Sequence, residues 1–188
     1  MFGRIKLKLT AISLVALLIT LFMQESLAFY TTVGHSTNVV TSGNIQLIIH
    51  EKTDQGTKFP EGGVYVIPGD VVSKEVSIEN DCAHPFYLRV KIVDSINSAE
   101  LSSEDCYKLN INSEYWKLID GWYYYTETVE PGETTPNVFS KVEIVGSKVN
   151  NDYLGKTLSL TVVAHAVQSE NNPIENGDTS TASGWPKE

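Results

Sequence analysis

Four histidines, two cysteines and a surplus of carboxylates are the residues of this chain with chemical reach. His50-Glu51-Lys52-Thr53-Asp54 begins like the zinc-protease pattern HExxH, but Asp54 stands where the second histidine belongs. That pattern also needs its histidines one turn apart on a helix. Here Ile45, Leu47 and Ile49 alternate with Gln46, Ile48 and His50, which is the period of a strand. His35 and His84 fall in turn-like sequence and His165 near the end of an alternating run, with no spacing that joins them. The sequence holds no G-x-S-x-G elbow and no phosphate-binding glycine loop. Glu75 and Glu79 share a strand face but lack an apolar pocket to separate their pKa values. Asp70, Asp81 and Asp105 lie in acidic loops, a weak calcium signal without EF-hand spacing. The expectation is no enzyme, no catalytic, cofactor-binding or metal residues, and no cofactor.

Cys82 and Cys106, 24 residues apart, are the only cysteines. In an exported protein such a pair invites a disulfide, which would contribute roughly 3–4 kcal/mol by closing that loop. Two separate thiols remain the alternative. The aromatic run Trp122-Tyr123-Tyr124-Tyr125 is a candidate binding surface, although in a hairpin such residues also serve as cross-strand packing.

The elements that would position these groups are strands. Pro68-Gly69-Asp70 is a turn signal, with Pro presetting φ and Gly accepting φ > 0. Val72, Val76 and Ile78 then alternate with Ser73, Glu75, Ser77 and Glu79; after Asn80-Asp81, Phe86, Leu88, Val90 and Ile92 alternate with Tyr87, Arg89 and Lys91. Each run reads as a strand with one dry face and one wet face. Asp120-Gly121 between Tyr115-Trp116-Lys117-Leu118-Ile119 and Trp122-Tyr123-Tyr124-Tyr125 is a type I′ hairpin signal. Pro131-Gly132-Glu133 repeats the earlier turn ahead of Val138, Val142 and Ile144. The last run puts Leu158, Leu160, Val162, Ala164 and Ala166 on one face, opposite Thr161, Val163 and His165. Residues 95–113 read as an insertion. The pattern predicts an all-β fold, an antiparallel β-sandwich of jelly-roll or Ig-like type with about seven to nine strands.

The chain has 188 residues, and its two ends are set apart from this domain. Residues 1–28 carry Arg4, Lys6 and Lys8, then an apolar run, then Ser26-Leu27-Ala28, the order of parts in a signal peptide cut between Ala28 and Phe29. Residues 29–168 form the predicted domain, beginning with a β-competent segment at 29–43. Residues 169–188, rich in Ser, Asn, Gly and Thr, are expected to be a flexible polar tail. Removing the leader's three basic residues and one acidic residue leaves 11 against 22, a net charge near −11. Such a surface repels nucleic acid and anionic membranes. The membrane enters only through the signal peptide before cleavage.

The order of motifs resembles the TasA/camelysin family of exported Gram-positive proteins. The resemblance rests on the Ala28-Phe29 junction, Thr41-Ser42-Gly43-Asn44-Ile45-Gln46-Leu47, Pro68-Gly69-Asp70 with Val76-Ser77-Ile78-Glu79-Asn80, the block from Gly121 through Pro131-Gly132-Glu133, and the closing Ala166-Val167-Gln168. It implies a β-sandwich released by a dedicated signal peptidase and placed in the extracellular matrix or at the cell surface. Some members assemble into biofilm fibres, the freed N-terminal segment of one subunit completing the sheet of the next. That implies a structural, self-associating protein, or one that joins a related matrix protein, with Phe29, Tyr30, Val33, Val39 and Val40 as donor contacts. An N-terminal strand packed on its own subunit is the alternative. The camelysin branch implies a metal-dependent peptidase, for which no motif carries over, and an exported adhesin using the aromatic hairpin is a third reading. The two cysteines depart from the family pattern.

Overall fold

A computed structural model describes residues 29–31, 37–40, 45–103 and 105–186. Nine strands lie between residues 47 and 168. They are β3 (Leu47–Lys52), β4 (Val64–Val66), β5 (Val71–Asn80), β6 (Phe86–Ile96), β7 (Tyr107–Leu109), β8 (Trp116–Ile119), β9 (Trp122–Tyr125), β10 (Phe139–Ile144) and β11 (Thr157–Gln168). Two short strands precede them, β1 (Phe29–Thr31) and β2 (Thr37–Val40). One sheet runs β4-β1-β11-β6-β9-β8, with β2 also on β11; the other runs β3-β5-β10-β7. Within the region of the nine strands all pairing is antiparallel, as a sandwich read from alternation requires. The expected fold class is the one observed.

The dry faces meet between the sheets. Val76 and Ile78 of β5, Phe86, Leu88 and Val90 of β6, Val142 and Ile144 of β10, and Leu158, Leu160, Val162, Ala164 and Ala166 of β11 are all at most 2% exposed. A register shift between Phe139 and Lys141 lets β10 turn both Phe139 and Val142 inward, which strict alternation forbids. Trp116 and Tyr125 pack ring to ring at 5.2 Å.

Turn chemistry follows the sequence closely. At Ile67-Pro68-Gly69-Asp70 the Asp70 amide donates to the Ile67 carbonyl with Gly69 at φ 95°; at Glu130-Pro131-Gly132-Glu133 the Glu133 amide donates to Glu130 with Gly132 at φ 75°. The same turn is used twice. Asp120 and Gly121 both take positive φ, 48° and 80°, as the type I′ hairpin demands. Asn80, fully buried at the end of β5, ties three segments together. Its amide nitrogen donates to the carbonyls of His84 and Val129, while its oxygen accepts from the amide and thiol of Cys82.

One inward position of β5 carries a charge. Lys74, 1% exposed, faces Glu51 of β3 at 3.0 Å and lies 5.3 Å from the centre of the Phe59 ring. The ends of the two side chains meet without hydrogen-bond alignment. Burial pushes the Lys74 ammonium below its ordinary pKa, and Glu51 pulls the other way. Removing one partner strands the other charge in a dry site, whereas replacing both with apolar groups removes the desolvation cost. Lys74→Ala should therefore destabilise the fold by about 3–5 kcal/mol in urea melts, and Lys74→Met with Glu51→Leu should recover most of that loss.

Tyr125 supplies a pH handle. Burial first, then the nearby carboxylates of Glu127 and Glu133, raise its phenol to about 12. A raised folded pKa holds its full stabilisation below the unfolded value of 10.0 and loses it as pH climbs through 12. Denaturant midpoints should fall between pH 10 and about 12, and should fall less steeply in Tyr125→Phe.

Candidate functional site

The long closing strand β11 has two hydrogen-bonding edges, and the site grows from the way each is satisfied. One edge pairs with β6 without interruption from Leu158↔Ile96 to Gln168↔Phe86. The other receives the N-terminal segment in parallel, first Tyr30↔Thr157 and Thr31↔Leu158, then Thr37↔Val163 through Val40↔Ala166. Strand β1 also pairs on its far side with β4, Phe29↔Val66 through Thr31↔Val64. Among the described residues, β4 is joined to the sheet by β1. Of the expected donor residues, Phe29 and Tyr30 lie in β1 and Val39 and Val40 in β2, all on the edge of β11. Val33 and the junction residue Ala28 lie outside the described residues. The arrangement is that of an N-terminal strand seated on its own subunit.

The aromatic hairpin divides its side chains between two environments. Tyr125 joins the inner core, whereas Trp122 and Tyr124 point to the outer face of the sheet. There they surround Arg89, whose guanidinium carbon lies 4.2 Å from the Trp122 ring centre, 5.0 Å from Trp185 and 5.8 Å from Tyr124. Arg89 Nη1 donates to the Tyr124 hydroxyl at 3.0 Å and Nη2 to the Pro186 carbonyl at 3.0 Å, with His165 Nδ1 at 3.2 Å. The His165 ring lies 4.4 Å from that of Trp122. This is a stacked cation–π cluster, not an open platform. Trp122, Tyr124 and Tyr125 are 4%, 7% and 1% exposed, so of the four expected surface residues only Tyr123 is half-open.

The cover comes from residues 169–186, expected to be a flexible tail. Trp185 packs edge-on against Tyr124, and Ala182 against Tyr87 and Val167. Thr179 donates to the Tyr125 carbonyl and accepts, through its own carbonyl, from Trp185 Nε1. Asn176-Gly177, with φ 50° and 76°, makes a tight turn closed by Asp178 N–H to Glu175. Composition hides this packing because the segment needs no core of its own. The sheet supplies the apolar surface. Asn176-Gly177, a strong hairpin signal, was the clue in the sequence.

The cysteines are free thiols, which corrects the candidate disulfide. Cys82 follows β5 and donates its thiol to Asn80 Oδ1 and the His84 carbonyl. Cys106 is buried beside the start of β5, where its carbonyl accepts from Val145 next to the Ile144–Asp70 bond. Ten residues of strand lie between them, about 30 Å of separation at roughly 3.3 Å per residue, beyond the reach of any disulfide.

His50 pairs with Glu79 at 2.6 Å on the outer face of the second sheet, and His84 is exposed in the β5–β6 turn. The Asp70 carboxylate accepts from the Ile67 amide. Among the described residues no group of three His, Cys, Asp or Glu is placed to hold a metal, and no helix is long and apolar enough to cross a membrane. Compared with protein-family models, curated proteins and solved structures, the chain matches none.

Trp185 is the anchor of the cover. Trp185→Ala should detach residues 169–186 while leaving the sandwich folded. Amide exchange should rise at least tenfold at Ser180 and Thr181 and remain slow in β6 and β11.

Proposed function

We propose that this chain is a secreted structural protein of the extracellular matrix or cell surface, which associates with further copies by strand addition along β11. The observation that carries the reading is the parallel seating of β1 and β2 on an edge that would otherwise be bare. A long unpaired edge is a template for any extended chain. A strand donated by a second copy makes the same backbone bonds in the same register as the chain's own strand. The balance between the two is therefore set by protomer concentration against the effective concentration of the tethered segment, not by new contacts. Head-to-tail donation does not close on itself and yields a filament.

The resemblance to the TasA/camelysin family supports the same reading, as do the leader-like residues 1–28 and the acidic composition. In this reading signal peptidase frees Phe29, after which Phe29, Tyr30, Val33, Val39 and Val40 carry the donor contacts. The chain acts without catalysis.

The test compares protein beginning at Phe29 with protein lacking residues 29–40, by light scattering and negative-stain microscopy. Filaments should form from the first in a concentration-dependent manner and be absent from the second. Restoring the missing segment as a free peptide should return the truncated protein to a soluble, capped monomer. Persistent monomers of both proteins across pH and salt would overturn strand addition.

A further inference from the structure

A charge interrupts the inner face of β6 before its last apolar residue, Ile96. Phe86, Leu88, Val90 and Ile92 alternate inward, and the next position in that series is Asp94. β9 pairs with β6 only at Arg89 and Val90, so β6 outruns its neighbour just where the carboxylate arrives. On the opposite sheet β7 is three residues long and reaches no further. The two sheets part there. The gap is an opening of about 490 Å³, within the size range of small-molecule sites.

Its lining is chemically lopsided. Ile92, Leu109, Ile111 and Leu118 give apolar surface, and the phenol rings of Tyr107 and Tyr123 add aromatic faces. Asp94 and Asp105 supply carboxylates, Ser102 and Ser103 hydroxyls, and no lining residue is basic. Lys148, outside the lining, pairs its ammonium with Asp105 at 3.3 Å. The Tyr107 hydroxyl donates to Asp94, and burial together with that carboxylate drives its pKa far above the ordinary value. Tyr107 is thus held neutral, as a hydrogen-bond donor that orients the acid. A free anion would be repelled here, and a neutral sugar would find acceptors in excess of donors. An ammonium with an apolar body matches all three elements: carboxylate, aromatic faces and greasy wall.

From this lining we propose that the opening between β6, β7 and the β8–β9 hairpin binds an organic ammonium ion, with Asp94 as counter-charge and Tyr107 and Tyr123 as the aromatic walls. The site is independent of the β11 edge, so its failure leaves strand addition standing, and the reverse holds as well.

The test titrates the protein beginning at Phe29 with choline, with its uncharged isostere 3,3-dimethylbutanol, and with a lysine-containing tripeptide, following tyrosine fluorescence and amide shifts. Saturable binding of choline or the tripeptide, at least tenfold tighter than the isostere and weakened by salt, is the expected result. The tighter of the two cations tells whether the ammonium comes from a free molecule or from a partner's lysine. Asp94→Asn should weaken binding at least tenfold, and so should Tyr123→Leu, which leaves the carboxylate in place should the first variant misfold. Trp122→Phe, on the opposite face of the sheet, should change nothing. Absence of saturable binding by both cations, or equal binding of the uncharged isostere, would overturn the proposal.

Discussion

The constraint on which this structure depends is that β11 must be hydrogen-bonded on both edges. Its inner face is dry throughout, from Leu158 to Ala166. Backbone groups beside such a core cannot be left without partners at acceptable cost. β6 serves one edge completely. The other is served by β1 and β2, with β1 paired on its far side to β4. Removing β1 uncovers the Thr157–Leu158 end of β11 and also strands β4, whose own Tyr65 and the following Ile67 are already exposed. Two short strands therefore cover that edge of β11.

Alternation and turn chemistry were legible because they are local. Period-two burial placed the inner residues of β6 and β11 correctly, and the Pro-Gly and Asp-Gly turns were readable from two residues each. What the sequence hides is the occupant of the second face. Tyr87, Arg89, Trp122 and Tyr124 occupy positions that period two labels wet, yet all are buried because the polar C-terminal segment lies over them. No window of six or eight residues contains that information. The parallel pairing of β1 and β2 is equally invisible, since parallel strands are not joined by a local turn.

Charges placed at inward parity were the other readable but unread signal. Lys74 shares its parity with Val76 and Ile78, and Glu51 shares its parity with Leu47 and Ile49. Opposite charges at inward positions of adjacent strands announce a buried pair, because neither could be dry alone. Asp94, in register with Leu160 and following Ile92, breaks the same rule without a basic partner among the residues around its opening. The contrast separates a carboxylate neutralised by the fold from one presented to an opening. Parity, read for charges as well as for apolar residues, would have flagged both.

The outer cluster and the edge that receives β2 meet at one residue. His165 lies in register with Val39 of β2, and its ring rests on Trp122 while Nδ1 reaches Arg89. Arg89 in turn holds the Pro186 carbonyl and stacks on Trp185. The backbone that receives β2 therefore carries the side chain supporting the C-terminal cover. The cover itself buries few residues of its own, chiefly Thr179 and Ala182, so most of its hold comes from Trp185 and the Arg89 stack. Any shift of β11 on exchanging one parallel strand for another would be felt first in that stack, where an aromatic sandwich tolerates little displacement. Both flanking segments thus meet a single strand, with β1 and β2 on its edge and residues 169–186 on the outer face beside it.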